Sequence, residues 1–429
     1  MHGLGAIDHF VVLMLENRSF DNMVGRLYGP GNAPPFDHAP RGQPFDGVSG
    51  KRLGNLLPAG AVGPEPHWVP TGRARGPAVP TPGPGEGYAH VNLQLYGRVL
   101  PPYNRPAPLP AAAPMGGFAL DYVRQLRRDG APVDSARYGQ VMEGFAPAEL
   151  PVLCGLARAY AVCDRWFCSV PGATWANRSF LLAGTSRGFV DDTPYLQWLR
   201  RDAETVLDRL PDARGRGPAW RVYFDPRNIL PLTGLIFPRL FRHVLGHFAY
   251  MSRFYRDARS GRLPAFTLIE PSMLWWRNDQ HPPGSVLPGE ALIHDVYTAL
   301  RSGPAWERTL LLLTYDEHGG LYDHVAPPPA VPPEPDAPAG QYGFRFDRLG
   351  PRVCTVLVSP WIEAGTVFRA RDAGGREVPC DHTSILRTVC ARFGLPPLTA
   401  RDAAAPDVGG ALARTRPRRG EPSLPAPPR

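Results

Sequence analysis

The sequence predicts an α/β fold in which helices cover both faces of a mostly parallel central sheet. Near-continuous apolar runs alternate along the chain with amphipathic segments. The apolar runs are typical of strands buried on both faces, and the amphipathic segments are typical of helices that cover a sheet. Such alternation indicates parallel strands joined by helical crossovers. The 429 residues are 43% hydrophobic and 20% charged, a globular balance that can bury a sizeable core.

The individual elements follow from local patterns. AIDHFVVLML at 6–15 is an almost continuous apolar run and predicts the first strand, and RTLLLLTYDE at 308–317 predicts the most strongly buried one. Further strands are predicted at 220–224, 265–270 and 352–361. Helices are predicted at 116–128, 150–162, 175–184, 288–302 and 383–394, the last of them closed by Gly394.

Two segments depart from this alternation. Residues 26–112 are rich in Pro and Gly and contain few periodic stretches. A structureless loop of that length is uncommon in a compact domain unless it has a function, so this insertion is predicted to form a rim around the active site. From 399 to 429 the chain has little to bury and is predicted to be a disordered tail. A single domain is therefore expected over residues 1–398.

Charge and cysteine content argue against several classes of protein. The net charge is +8, but Lys51 is the only lysine, and the abundance of Arg, Pro, Ala and Gly indicates a general compositional bias. The basic charge is therefore weak evidence for nucleic acid, and no nucleic-acid partner is expected. The six cysteines lack the C-x-x-C spacing of a zinc site, so buried thiols are expected.

Targeting and membrane segments are not expected either. The sequence contains no stretch of 18 apolar residues, so no transmembrane segment is predicted. The first strand begins so close to Met1 that a charged and apolar signal peptide does not fit before it. A cytoplasmic location is therefore predicted for the sequence as given.

Polar side chains follow two of the predicted strands. Glu16 and Asn17 end the first strand. Asp316 and Glu317 end the strand at 308–317. Ligands bind at the carboxyl ends of strands in open α/β sheets, and clustered carboxylates repel each other unless a cation or protons lie between them. Oxygen ligands of this type suit hard divalent cations. The sequence predicts a divalent metal ion of uncertain identity at this edge; the alternative is that each pair only caps its strand.

Thr174 stands at the start of the predicted helix 175–184, just after Pro171 and Gly172. A threonine at this position is usually an N-cap that satisfies free backbone N–H groups. A helix N-terminus is also an anion site, and a hydroxyl held there beside a metal can lose its proton and attack phosphorus. Asn177 and Arg178 are polar where a helix that only packs would carry Leu or Ala. Both interpretations of Thr174 remain open at this point.

Four sequence blocks occur in order along the chain. They are E-N-R-S-F-D at 16–21, T-W-A-N-R at 174–178, D-E-x-x-G-x-x-D-H-V at 316–325 and G-x-R-V-C-x-x-x-x-S-P-W at 350–361. In these blocks the chain resembles the phosphoesterase family that includes bacterial phospholipase C, plant non-specific phospholipase C and acid phosphatase A. Ala176 and Cys354 stand where the family has proline, which changes the local backbone and removes no reactive group. The resemblance runs from about residue 6 to 398.

The resemblance implies an alkaline-phosphatase-like, three-layer α/β/α sandwich that hydrolyses phosphate esters through a covalent phospho-threonine. Thr174 corresponds to the family's Ser or Thr nucleophile. The metal ligands would be Glu16, Asn17, Asp316 and Glu317. Asn17 and Asn177 are the candidate substrate-binding residues.

The histidines receive less specific roles. His281, in NDQHPP, and His382 are candidates for phosphate contact or proton transfer, although a lone histidine beside Pro or Asp is as often structural. His318 and His324 lie around the glycines of the third block and are predicted to orient carboxylates. Within the first block, Arg18 and Asp21 are expected to form a buried ion pair that holds the turn.

The substrate class stays open between three alternatives. Phospholipase C-type cleavage of a phosphodiester is the preferred prediction, with a phospholipid as one candidate substrate. Trp275 and Trp276 could contact a lipid interface or a head group there, but burial in the core explains them equally well. An acid phosphatase acting on soluble phosphomonoesters is the second alternative. A non-catalytic anion-binding protein is the third, and it is disfavoured because nucleophile and ligand types are all present.

Overall fold

A central eight-stranded sheet organises the molecule. The computed structural model describes residues 3–29, 42–97, 113–210, 212, 218–420, 422 and 424–428. The strands in these ranges are β1 (His9–Leu15), β2 (Gly54–Leu57), β3 (His67–Pro70), β4 (Gly72–Arg73), β5 (Glu143–Gly144), β6 (Ala161–Cys163), β7 (Trp220–Phe224), β8 (Phe248–Tyr250), β9 (Phe266–Glu270), β10 (Thr309–Tyr315), β11 (Thr355–Val358) and β12 (Thr366–Phe368). The order in the large sheet is β12-β6-β11-β10-β1-β9-β7-β8.

The sheet is mostly parallel, as predicted. Strand β1 runs parallel to both of its neighbours, β10 and β9, and β9, β7 and β8 continue the parallel half. Strand β11 is antiparallel to β10 and to β6. All seven residues of β10 and six of the seven in β1 are buried. Strands buried on both faces need helices above and below, which explains why their sequences are apolar throughout.

The helices form the two outer layers. The α-helices in the described ranges are α1 (Phe20–Met23), α2 (Tyr88–Tyr96), α3 (Phe118–Arg128), α4 (Ser135–Tyr138), α5 (Pro151–Ala159), α6 (Thr174–Ala183), α7 (Tyr195–Trp198), α8 (Val206–Arg209), α9 (Leu232–Ile236), α10 (Val244–His247), α11 (Met251–Arg259), α12 (Leu287–Arg301), α13 (His382–Phe393) and α14 (Ala400–Ala404). Helices α5, α11 and α12 pack together as one layer, and α6, α13 and α14 form the other. The predicted three-layer α/β/α architecture is confirmed.

Part of the Pro/Gly-rich insertion has a core of its own. Of residues 26–112, the structure describes 26–29 and 42–97, and the remainder lies outside the described residues. The hairpin β2–β3 and helix α2 pack with α3 around a second apolar cluster that includes Leu57, Val91 and Phe118. This cluster lets the insertion hold side chains in fixed positions.

Two segments differ from the sequence-based expectation. The helix predicted at 150–162 ends at Ala159, and Ala161–Cys163 forms β6, because a short apolar run fits a helix and a strand equally well. In the expected disordered tail, α14 is ordered by a capping box between Thr399 and Asp402. Buried Arg401 donates there to the carbonyls of Ser169 and Phe346. Burial of an arginine depends on distant acceptors, which local composition does not reveal.

Candidate active site

The two predicted strand ends meet at one edge of the sheet. Strands β1 and β10 are parallel and in register, and Leu15 pairs with Tyr315. The next residues, Glu16 and Asp316, are therefore neighbours, and both are buried. The backbone N–H groups of Asn17 and Glu317 donate to Oδ1 of Asp316 at 2.9 and 2.8 Å. The register of these strands thus brings three carboxylates and one amide together.

The turn after β1 explains why an amide follows the strand. Asn17 has φ 54°, in the left-handed region, which asparagine tolerates better than most residues. Gly319 approaches this turn so closely that a Cβ there would lie 2.1 Å from the carbonyl oxygen of Asn17. Gly319 itself has φ 66°. Both backbone conformations are needed to place Asn17 against the loop that follows β10.

Thr174 faces these side chains and does not cap its helix. It is the first residue of α6, whose N-cap is Ala173 without a side-chain hydrogen bond. Its hydroxyl Oγ1 lies 3.4 Å from Oε2 of Glu16 and 3.3 Å from Oδ1 of Asn17. The capping alternative is therefore wrong for Thr174. The hydroxyl points at oxygen atoms of the carboxylate and amide cluster.

Arg178 holds two of the carboxylates in place. From the second turn of α6, its guanidinium donates to Oε1 of Glu16 at 2.6 Å and to Oδ2 of Asp316 at 3.2 Å. These bonds leave Oε2 of Glu16 directed at Thr174. Arg178 is unusually polar for its place in the sequence, but its role could not be predicted, because its partners lie more than 130 positions away in the chain.

The cluster has the electrostatic character of a cation site. Burial raises the pKa of Glu16, and the neighbouring charge of Asp316 raises it further. Burial and the charges of Glu86 and Asp316 likewise raise the pKa of Glu317. Among the described residues, Oε1 of Glu317 has no hydrogen-bond partner although it is buried. A buried carboxylate oxygen without a donor is costly, and a divalent cation would satisfy it and remove the repulsion.

His281 reaches the site through a residue that sequence reasoning missed. Glu86 accepts a hydrogen bond from the amide nitrogen of Asn17, and its Oε2 lies 3.5 Å from Nε2 of His281. Burial lowers the pKa of His281, but the hydrogen bond to Glu86 and its charge outweigh burial and raise that pKa overall. Glu86 lies in the insertion, just before α2. The sequence signal for this helix was the helical spacing of Tyr88, Val91 and Leu95.

His382 contacts the backbone of the carboxylate cluster, whereas Asn177 bonds the loop before its own helix. His382 begins α13, and its Nε2 donates to the carbonyl of Asp316 at 2.7 Å. Burial lowers its pKa, and its Nδ1 has no partner among the described residues. Asn177, predicted to bind substrate, is buried, and its amide bonds the backbone of Val170, Gly172 and Ala173. The structure corrects its role: Asn177 shapes the loop that carries Thr174.

Hydrogen bonds from the insertion and from α3 fix the ring of His318 behind the carboxylate cluster. Nε2 of His318 donates to the amide oxygen of Gln94 at 2.7 Å, and the Gln94 amide nitrogen donates to Asp121 at 2.8 Å. Burial lowers the pKa of His318 to about 3, so the ring is neutral. Its Nδ1 lies 3.1 Å from Oε2 of Glu317. Because Nε2 carries the ring proton, Nδ1 makes no hydrogen bond to Glu317, and the predicted orienting role of His318 stays a prediction. Gln94 and Asp121 gave no recognisable sequence signal.

A second cluster of metal-type ligands has a different character. Ligand atoms of Asp21, Asp323 and His324 lie within 4.8 Å of one another. Arg352 is buried among them and donates to Asp21 at 3.0 Å and to Asp323 at 2.9 Å. Because a guanidinium already neutralises these carboxylates, the cluster fits a structural ion-pair network.

The same network corrects the prediction that Arg18 and Asp21 form an ion pair. Arg18 donates to the carbonyls of Gln280 and Val79 at 2.7 and 2.8 Å. Asp21 pairs instead with Arg352. The two side chains separate because α1 begins at Phe20, between them, and a local sequence block does not show this change of direction.

We expect His324 to make the free energy of unfolding depend on pH. Burial opposes its charge, but hydrogen bonds to Asp21 and Asp46 raise its pKa from 6.5 to about 9, against the positive charges of nearby Lys51 and Arg352. Because the folded-state pKa is the higher one, the protonated ring stabilises the fold fully below pH 6.5, and this stabilisation is lost as pH rises through about 9.

Urea unfolding of the wild type and of His324→Gln tests this pH dependence. The stability difference between the two proteins should be largest near pH 6 and should shrink towards about pH 10. A difference that stays constant over this range would show that His324 is not charged in the folded protein.

Comparison with known proteins agrees with this arrangement. A model of the phosphoesterase family matches residues 7–396. The chain belongs to the phosphoesterase family. Non-specific phospholipase C5 of Arabidopsis thaliana is 35% identical to this phosphoesterase over 430 residues, covering 96% of this chain and 75% of the plant protein. Phospholipase C B of Mycobacterium tuberculosis (strain ATCC 25618 / H37Rv) is 30% identical over 441 residues, covering 94% and 77% of the two chains.

Among solved structures, a protein in the alkaline phosphatase superfamily from Vibrio parahaemolyticus matches this phosphoesterase with a TM-score of 0.35 and 10% identity, covering 60% of this chain and 64% of that one. Membership of the family rests on the sequence match over most of the chain. The predicted resemblance is thereby confirmed, and this phosphoesterase is a hydrolase of phosphate ester bonds.

Proposed function

We propose that this phosphoesterase cleaves phospholipids in the manner of a phospholipase C, with Thr174 as the nucleophile. The observation that carries the proposal is the position of the Thr174 hydroxyl. It starts a helix without capping it, and it faces Glu16 and Asn17 at 3.4 and 3.3 Å. A hydroxyl held against a carboxylate and an amide oxygen suits activation for attack on phosphorus. The names of the plant and mycobacterial relatives support the phospholipase class.

We further propose that the carboxylate cluster holds a divalent metal ion. Glu16, Asn17 and Glu317 would supply ligands, since each has an oxygen that is free of strong donors. Asp316 and the Thr174 hydroxyl complete the oxygen-rich set that hard cations prefer. When bound, such an ion would lower the pKa of the hydroxyl and offset the negative charge of the phosphate. Arg178 would keep two of these carboxylates at fixed positions with or without the ion.

Side chains of the protein and water account for the bonds that form and break and for the proton transfers. Oγ1 of Thr174 would release its proton to solvent water and form a bond to phosphorus, while the bond from phosphorus to the diacylglycerol oxygen breaks. His281 has a raised pKa and would donate a proton to that leaving oxygen. Water would then attack phosphorus and lose a proton to neutral His281. This step breaks the bond from phosphorus to Oγ1 and releases the phosphorylated head group, and Oγ1 regains its proton from solvent water.

Relative activity on three substrates tests this function. We expect kcat/KM on phosphatidylcholine micelles and on a soluble phosphocholine diester to exceed that on a simple phosphomonoester at least about tenfold. A diester can use contacts remote from phosphorus to position the reacting group, whereas a small monoester cannot. The Thr174→Ala protein, purified in the same way, controls for contaminating phosphatases. A clear preference for the monoester would replace the phospholipase proposal by acid phosphatase activity.

A further inference from the structure

Five exposed apolar side chains lie beyond the carboxyl ends of two neighbouring strands. Ile229 and Leu230 are 72% and 49% exposed and follow β7. Leu274, Trp275 and Trp276 are 53%, 54% and 82% exposed and follow β9. We call these five residues the apolar rim. Burial of the two tryptophans in the core, an alternative left open by the sequence, is therefore excluded.

Hydrogen bonds connect the two loops that carry the apolar rim. Nη1 of Arg227 donates to the carbonyl of Trp276 at 2.9 Å, and Asn228 bonds the backbone of Pro271 and Met273 at 2.8 and 2.9 Å. Trp276 has φ 44°, a conformation that is strained for a bulky aromatic residue. The hydrogen bond from Arg227 holds the Trp276 backbone in this conformation while its ring remains exposed.

The rim is continuous with the candidate active site. Strands β7 and β9 are parallel to β1, so all three end at the same edge of the sheet. The loop that carries Trp275 and Trp276 runs on to Asp279, whose carbonyl accepts the N–H of Glu16 at 2.9 Å. Two residues further it reaches His281. A surface that contacts the apolar rim therefore also lies next to the edge of the sheet that carries Thr174.

We infer that the apolar rim docks onto the surface of a phospholipid bilayer. The inference rests on the proposed phospholipase C function, because a substrate with two acyl chains resides in such a surface. Tryptophan favours the boundary between head groups and acyl chains. The two arginines at the base of the rim, Arg227 and Arg277, pair with Asp225 and Asp279, which lowers the cost of placing them near lipid.

The mode of binding would be peripheral. Among the helices that the structure describes, none has the length and apolarity to cross a bilayer. Exposed aromatic and aliphatic side chains at one edge of the sheet can still insert into the interface, and the strength of such binding scales with the apolar area buried. The rim supplies five such side chains from two adjacent loops.

The chain offers a matched control at the opposite edge. Leu245 is fully exposed at 101% and lies in α10, directly before β8. The neighbouring His247 ring packs at 4.0 Å on Trp220, the first residue of β7, which marks the amino edge of these parallel strands. A bilayer that contacts the carboxyl edge cannot reach Leu245 at the same time.

Sedimentation with sucrose-loaded phosphatidylcholine vesicles tests the inference on the full chain. We expect Ile229→Ser combined with Trp276→Ala to lower the partition coefficient at least about tenfold, and Leu245→Ser to leave it unchanged. Thermal melting of each variant shows whether it is folded. As a second measurement, brominated lipid should quench wild-type tryptophan fluorescence, and Trp275→Phe with Trp276→Phe should lose most of this quenching while still binding vesicles.

The outcomes separate docking from catalysis. The docking inference would be overturned if the wild type did not sediment with vesicles, or if the rim and Leu245→Ser variants lost vesicle binding equally. Turnover of a soluble phosphocholine diester in that case would leave the proposed function intact. Rim-dependent sedimentation without any diester turnover would support docking and overturn the proposed function. If both proposals hold, the ratio of turnover on vesicles to turnover on the soluble diester falls in the rim variant.

Discussion

Thr174→Ala is expected to abolish phosphoesterase turnover, with a loss of about 10⁴-fold or more, while the protein remains folded. Removal of a nucleophile eliminates the covalent step, and losses of this size are typical of such substitutions. Stability should change little, because the hydroxyl makes no capping bond and Ala173 occupies the cap position. Steady-state turnover of a soluble phosphocholine diester and thermal melting measure the two effects.

A true capping threonine provides the contrast. Thr205 caps α8, and its side chain and Asp208 form a capping box. Thr205→Ala should therefore lower the free energy of unfolding by about 1 kcal/mol and leave turnover unchanged. Thr174→Ser should keep measurable activity, since it retains a hydroxyl. Residual activity within about tenfold of wild type in Thr174→Ala would remove Thr174 from the role of nucleophile.

Glu317→Gln should have the second largest effect, on bound metal. The free oxygen of Glu317 is the one buried carboxylate oxygen of the described cluster without a hydrogen-bond donor. Loss of its negative charge should weaken divalent cation affinity at least about tenfold, because affinity depends strongly on the number of charged oxygen ligands. Elemental analysis of the purified protein and competition with a chelator measure this directly, without reference to activity.

Glu290 is a suitable control for this substitution. Its carboxylate is equally buried, and burial raises its pKa to about 7. It accepts hydrogen bonds from the N–H groups of Val152 and Leu153 at the start of α5, and none of its recorded partners belongs to the cluster around Thr174. Glu290→Gln should therefore keep its metal content. Full metal occupancy in Glu317→Gln would show that the ligand set is wrongly assigned.

The ends of β1 and β10 show why much of the site could be anticipated. Apolar runs identify the buried strands, and parallel strands in register place their next residues side by side, so Glu16 and Asp316 had to meet once both strands entered one sheet. The start of α6 was equally visible from its pattern. These features follow from periodicity and strand direction, which short stretches of sequence carry.

By itself, the sequence determined the α/β class, the buried strands, the polar residues at their ends and the family. Only the tertiary structure decided that Thr174 faces Glu16, that Glu86 and Gln94 reach the site from the insertion, and that Asn177 supports a loop. It also decided that Trp276 is exposed and Arg401 buried. Local patterns are set by neighbouring residues. The partner of a polar group and the burial of a charge depend on contacts that exist only in the folded chain, most of them between segments far apart in the sequence.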